Sequence, residues 1–125
     1  MNQKAYEAMK AKELVKTRKQ VEDLAKRFSQ ALIDKLMEPK NAEKGHWSTV
    51  KAGYLYDRFN QESTELDDEI MSSPRYPENI MSEILDCTAF LAFIWDKIQT
   101  YRELPYDDAN WPELTMSPPR GREPE

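Results

Sequence analysis

The stretch "CTAFLAFIW", residues 87–95, constrains this chain more than any other. It sits inside "SEILDCTAFLAFIWDKI", residues 82–98, which reads as one helix that is apolar on every side along that stretch. A helix of that kind must be enclosed by protein. A chain of 125 residues supplies few other elements to enclose it, so the expected architecture is a helical bundle completed by oligomerisation.

The rest of the chain agrees with an all-α class. It has only three glycines, and no four-residue β-branched alternation occurs. The first helix is expected over residues 3–37, with the stripe Leu14, Thr17, Val21, Leu24, Phe28, Ala31/Leu32 and Leu36 spaced as a packed face requires. Pro39 ends it, and Gly45 permits a turn in the following loop. The second helix is expected over 48–71, with Ser48 as N-cap. After the break "SSPRYP", Pro77 suits the first position of a third helix reaching about residue 103, and Glu78 suits its first turn. From residue 104 onward, five prolines forbid regular structure. The expected organisation is a helical domain over 1–104 and a Pro-rich extended tail over 105–125, which wraps on the body through Trp111 and Leu114 and ends in disorder. Tyr76, Trp95 and Trp111 read as packing residues.

Charge and cysteine usage narrow the function classes. The net charge of -5 argues against a nucleic-acid polymer as main ligand. No apolar run reaches the ~18 to 20 residues of a membrane span, and the charged N-terminus does not read as a signal peptide. The single cysteine, Cys87, has no internal disulfide partner, which fits a reducing cytoplasm, and its apolar surroundings mark it as an inert packed thiol.

Four carboxylates stand out. Glu62 and Glu65 are three apart on the second helix, as are Glu83 and Asp86 on the third, so each pair shares a helical face. Leu55, Phe59, Leu66 and Ile70 accompany the first pair; Cys87, Phe90 and Ile94 accompany the second. Both pairs lie within faces that ought to pack together. Carboxylates are rarely buried unless paired or bound to metal, and four converging ones take up protons unless a cation intervenes. Hard cations prefer such oxygens, so a Mg²⁺ or Mn²⁺ site between the two helices is the simplest answer. Lys51 and Arg58 fall on the first face and Lys97 on the second, which suits a polyphosphate; solvated surface ion pairs are the competing reading for these cations. Asp67, Asp68 and Glu69 read as a solvated helix end. His46 is the one histidine, so His-based iron and zinc sets are absent, as is any Gly-rich phosphate loop.

"ESTE" (62–65), a spacer of 17 residues, then "EILD" (83–86) resembles the Glu-x-x-Glu … Glu-x-x-Asp pattern of the MazG-like all-α nucleotide pyrophosphohydrolases. "KGHW" (44–47) and "YLYDRFNQESTEL" (54–66) look like the loop and helix before that motif in small, often phage-encoded members. The resemblance covers residues 44 to about 101. It implies a cytoplasmic homodimer or homotetramer that hydrolyses a nucleoside triphosphate to the monophosphate and pyrophosphate, with a purine deoxynucleotide, dGTP or dATP, as first choice. By position it implies that Glu62, Glu65, Glu83 and Asp86 hold Mg²⁺, with Glu62 or Glu65 orienting the attacking water. Lys51, Arg58 and Lys97 would hold the polyphosphate. Many members carry a glutamate where this chain has Gln61, which bears on metal count and rate.

His46 and Trp47 form an aromatic pair at a helix entrance; Trp47 reads equally as a base-stacking platform or a structural anchor. Tyr54 and Tyr101, beside the cations, are the remaining substrate contacts expected. Two alternatives stand beside the enzyme: a non-enzymatic helical adaptor presenting its first helix and tail, and a phosphoribosyl-ATP pyrophosphatase-like activity on the same acid pattern.

Overall fold

The computed structural model describes residues 2–42, 46–103, 105–111 and 113–115. Among them the regular structure is entirely helical. Helix α1 spans Gln3–Leu36, α2 spans Pro39–Ala42, a single 3₁₀ turn covers Trp47–Thr49, α3 spans Ala52–Met71 and α4 spans Pro77–Thr100. The turn expected at Gly45 and the disordered end of the tail lie outside the described residues.

The chain divides into two compact units, residues 1–34 and 35–125. The first unit is α1 as far as Asp34; the last two residues of that helix, Lys35 and Leu36, belong to the second unit. The helix is held by its own backbone ladder, by local pairs such as Arg18–Glu22 and Arg27–Asp23, and by Asn2, whose side chain accepts from the Ala5 N–H. Its expected stripe is present but bare: Leu14 is 70% exposed, and Val21, Leu24 and Phe28 are exposed as well.

The second unit is built on α3 and α4, which pack on one another. They run antiparallel, because Glu62 meets Glu83 and Asp86 at one end while Ser48, before α3, meets Lys97 at the other. Pro77 stands at the start of α4 with Glu78 in its first turn, as expected from a residue without N–H and an acid at the positive end of the helix dipole.

The N-terminus of α3 differs from expectation. Ser48 is not its cap; it lies in the 3₁₀ turn, for which His46 serves as cap by accepting from the Ser48 N–H. Lys51 occupies the cap position of α3 and offers no side-chain acceptor. The acceptor comes from the tail, where the Leu114 carbonyl takes the Ala52 N–H at 3.2 Å. A tail closing on the helix end does the work of a capping side chain.

That closure also forms the core. Ala52, Tyr101 and Leu114 are buried together, with Tyr106 and Trp111 packed against them. Tyr106 Oη donates to the carbonyls of Tyr101 and Ile98 as α4 ends, and the Asp107 carboxylate accepts from the N–H groups of Ala109 and Asn110 to shape the turn. The tail therefore wraps on the body as anticipated at Trp111 and Leu114, and Tyr106, Trp111 and Leu114 join the second unit's core. Tyr76 and Trp95, expected to pack, are exposed in the single chain, as is Leu91.

Candidate metal centre

Glu62 projects from the middle of α3, and Glu83 and Asp86 project from the first half of α4. The spacing of three that places Glu83 and Asp86 on one side of α4 aims both at Glu62. One carboxylate oxygen from each of the three lies within 4.8 Å of the others. Glu62 is 8% exposed, and Glu83 and Asp86 are half-buried. Glu65, one turn beyond Glu62, is exposed at the edge and hydrogen-bonds Glu62.

Burial dominates the electrostatics. It pushes the Glu62 carboxyl up to about 7, helped by the hydrogen bond with Glu65 and by the negative charges of Glu65, Asp86 and Glu83. Glu83 is raised too, by burial first and then by Asp86 and Glu65, while a hydrogen bond with Glu62 opposes the rise. Cys87 beneath the cluster has its thiol raised by burial and by the same acids, which keeps it an inert packed group.

Two cations border the acids. Arg58 places Nη2 at 3.3 Å from Glu62 Oε1 and donates from Nη1 to Gln61 Oε1 at 2.5 Å, with its guanidinium 5.6 Å over the Phe90 ring. Lys35, from the last turn of α1, places Nζ at 3.4 Å from Asp86 Oδ1 and donates to Ser82 Oγ at 2.8 Å. Lys35 is a member of this site that motif reading missed. The signal was present: Leu14, Val21 and Phe28 recur at intervals of seven, and the next such position is a lysine. These cations leave one group unanswered. Glu83 Oε2 is buried with no hydrogen-bond partner among the described residues. An orphaned carboxylate oxygen beside two other oxygen donors fits a hard divalent cation.

The remaining expected substrate contacts are placed differently. Lys97 lies eleven residues beyond Asp86 on α4, about 16 Å along the axis at the ~1.5 Å rise of a helix. It is 0% exposed, with Nζ donating to the carbonyls of Ser48 (3.4 Å) and Leu114 (3.5 Å), and burial depresses its pKa. A phosphate-binding role does not fit an ammonium with no surface, and Tyr101 is likewise buried under Leu114. Trp47 donates from Nε1 to Asp96 Oδ2 at 3.0 Å and stacks between His46 at 3.8 Å and Phe93 at 4.7 Å. With both ring faces covered it serves as an anchor between the 3₁₀ turn and α4, and the exposed outer face of His46 is what remains for a ligand.

Lys51 pairs with Glu113 of the tail at 2.9 Å. Lys51 and Tyr54 line an open depression of about 470 Å³ with Gly53, Tyr56, Asp57 and Trp111. Gly53, Tyr56 and Asp57 fall on the opposite side of α3 from Glu62, so this depression is separate from the acid cluster. No helix among the described residues is long and apolar enough to cross a membrane. No protein-family model, curated protein or solved structure matches this chain.

Proposed function

We propose that the chain is a divalent-metal-dependent nucleotide pyrophosphohydrolase of the MazG-like kind. It would convert a (deoxy)nucleoside triphosphate and water to the monophosphate and pyrophosphate, acting as a homo-oligomer, with dGTP or dATP as the first substrates to try. One observation carries the reading: three carboxylates from two helices converge within 4.8 Å, and a buried oxygen among them lacks a partner among the described residues.

Glu62, Glu83 and Asp86 are the residues that would hold Mg²⁺, or Mn²⁺ in its place. The ion, when bound, supplies charge neutralisation at phosphoryl oxygens and lowers the pKa of a coordinated water. The chain does the rest. Lys35 holds Asp86 in position through its ammonium, and Ser82 fixes Lys35 in turn. Arg58, part-exposed at the rim and only one turn from Glu62, faces the polyphosphate. Glu65, the exposed acid of the set, orients the water that attacks the α-phosphorus and takes its proton as the bond to the pyrophosphate leaving group breaks.

Incubation with each (d)NTP and Mg²⁺, read as pyrophosphate and monophosphate, tests the reading. Glu83→Gln is expected to lower turnover by at least ~100-fold, on the scale of losing a group that stabilises developing charge. Absence of turnover of every nucleotide and of phosphoribosyl-ATP, with Mg²⁺ and with Mn²⁺, would refute it. The adaptor reading keeps one observation in its favour, the bare apolar stripe of α1. Its tail half is disfavoured, because Tyr106, Trp111 and Leu114 are folded onto the body rather than presented.

A further inference from the structure

The side of α4 turned away from the acid cluster carries a second feature. Met81, Ile84, Leu91 and Trp95 are 57%, 38%, 47% and 64% exposed, and with Thr88 they form a stripe spaced three and four apart. Between Asn79 and Trp95 the only charged residues are Glu83 and Asp86, and both point into the cluster on the other side. A fifteen-residue stretch of exposed helix surface without a charge is unusual in a chain that is 33% charged.

We infer that this stripe is the contact between two copies of the chain, with α4 packed antiparallel on α4 of the second copy about a two-fold axis at Thr88. The spacing is the first argument. Met81 and Trp95 each lie seven residues from Thr88, and Ile84 and Ala92 each lie four away. Turned end for end, the stripe falls on itself, as a two-fold interface demands. Met81 of one copy then meets Trp95 of the other, a thioether against an aromatic ring, and Ile84 meets Leu91 and Ala92. Small residues, Thr88 and Ala92, stand at the middle where the helices approach most closely.

Polarity is the second argument. The Thr88 hydroxyl donates to the Ile84 carbonyl at 2.8 Å, so its donor is already satisfied and its burial orphans none. At the ends of the stripe stand Glu78 and Arg102, both exposed. About an axis at Thr88, antiparallel pairing sets each Glu78 opposite Ile98 of the other copy and keeps the two Glu78 carboxylates at opposite ends, whereas parallel pairing would set Glu78 against Glu78.

Area is the third. The four exposed side chains present roughly 400 Å² of apolar surface per chain, inside the range of a functional patch. Half-buried Leu85, Ala92 and Ile98 extend it toward the ~800 Å² per partner of a standard interface. The pairing is independent of the catalytic reading, since no stripe residue belongs to the acid cluster.

Analytical ultracentrifugation of the full chain at micromolar concentration tests it. Wild type is expected to sediment as a dimer or a larger even-numbered assembly, while Leu91→Glu and Trp95→Glu each halve the mass with helical circular dichroism unchanged, because both side chains are already exposed in the single chain. In a Cys87→Ala background, Thr88→Cys is expected to form a disulfide between copies under mild oxidation. A monomeric wild type would overturn the inference. So would assemblies that survive both glutamates, or cross-linking through Val21→Cys on α1 but not through Thr88→Cys.

Discussion

Replacing Glu62 by glutamine in metal-free protein isolates the cost of gathering these acids. Burial and its acidic neighbours raise Glu62 from 4.5 to about 7, so the folded protein binds this proton more tightly than the unfolded chain does. Above pH 7 the group is ionised in both states and the folded state carries the whole penalty, about 3 kcal/mol for a shift of that size. The penalty shrinks as pH falls from about 7 to 4.5, and below 4.5 it is gone. Glutamine has the same shape without the charge, but it gives up the Arg58 contact at 3.3 Å, worth about 0.5–1 kcal/mol. Glu62→Gln should therefore stabilise the protein in chelator by roughly 2 kcal/mol at pH 8, on the order of 10 °C in Tm. It should leave stability nearly unchanged, or slightly lowered, at pH 4.5. Urea or thermal melts by circular dichroism at pH 8, 6 and 4.5 read this directly. Because Glu83 is raised as well, some pH dependence persists in the variant. A variant destabilised equally at all three pH values would refute the account of a crowded, desolvated acid cluster.

Other outcomes follow from the same geometry. Mg²⁺ should raise Tm more at pH 8 than at pH 5.5, because protons compete for Glu62, and Asp86→Ala should abolish the effect; differential scanning fluorimetry reads both. Lys97→Ala should cost about 3 kcal/mol in urea melts, since it opens a cavity and takes a donor from the Ser48 carbonyl and one of two donors from the Leu114 carbonyl. Leu114→Ala should cost about 2–3 kcal/mol and increase the exposure of Trp111 to fluorescence quenchers, because Leu114 is a buried anchor of the tail. Glu113→Ala, which removes only the exposed pair with Lys51, should change stability by less than about 1 kcal/mol.

Punctuation and periodicity made much of the fold legible. Pro77 begins a helix where a missing N–H is tolerated, and scarce glycine with three-four spacing marked the long helices, whereas Pro39, read as the end of the first helix and the start of a loop, opens the short α2. The cluster was legible for Glu62, Glu83 and Asp86 because three-residue spacing on apolar faces fixes direction, and two such faces must meet. The long-range closures were not. Ser48 has the chemistry of an N-cap, yet the acceptor at the start of α3 comes from Leu114, sixty-two residues on from Ala52. That same tail carbonyl turns Lys97 from a surface cation into a buried strut, which its position on the acid face of α4 could not reveal. Trp95 reads as packing by composition, but its helical angle turns it away from α3 and leaves it exposed.

Three carboxylates forming one divalent-cation site carry the proposed chemistry. Titration of the full chain with Mn²⁺, followed by electron paramagnetic resonance of the free ion, tests that most directly. The predicted result is saturable uptake by the wild-type chain that Glu83→Gln and Asp86→Asn abolish and Glu13→Gln, outside the cluster, leaves intact. Uptake that is absent in the wild type, or unchanged in the two cluster variants, would contradict it.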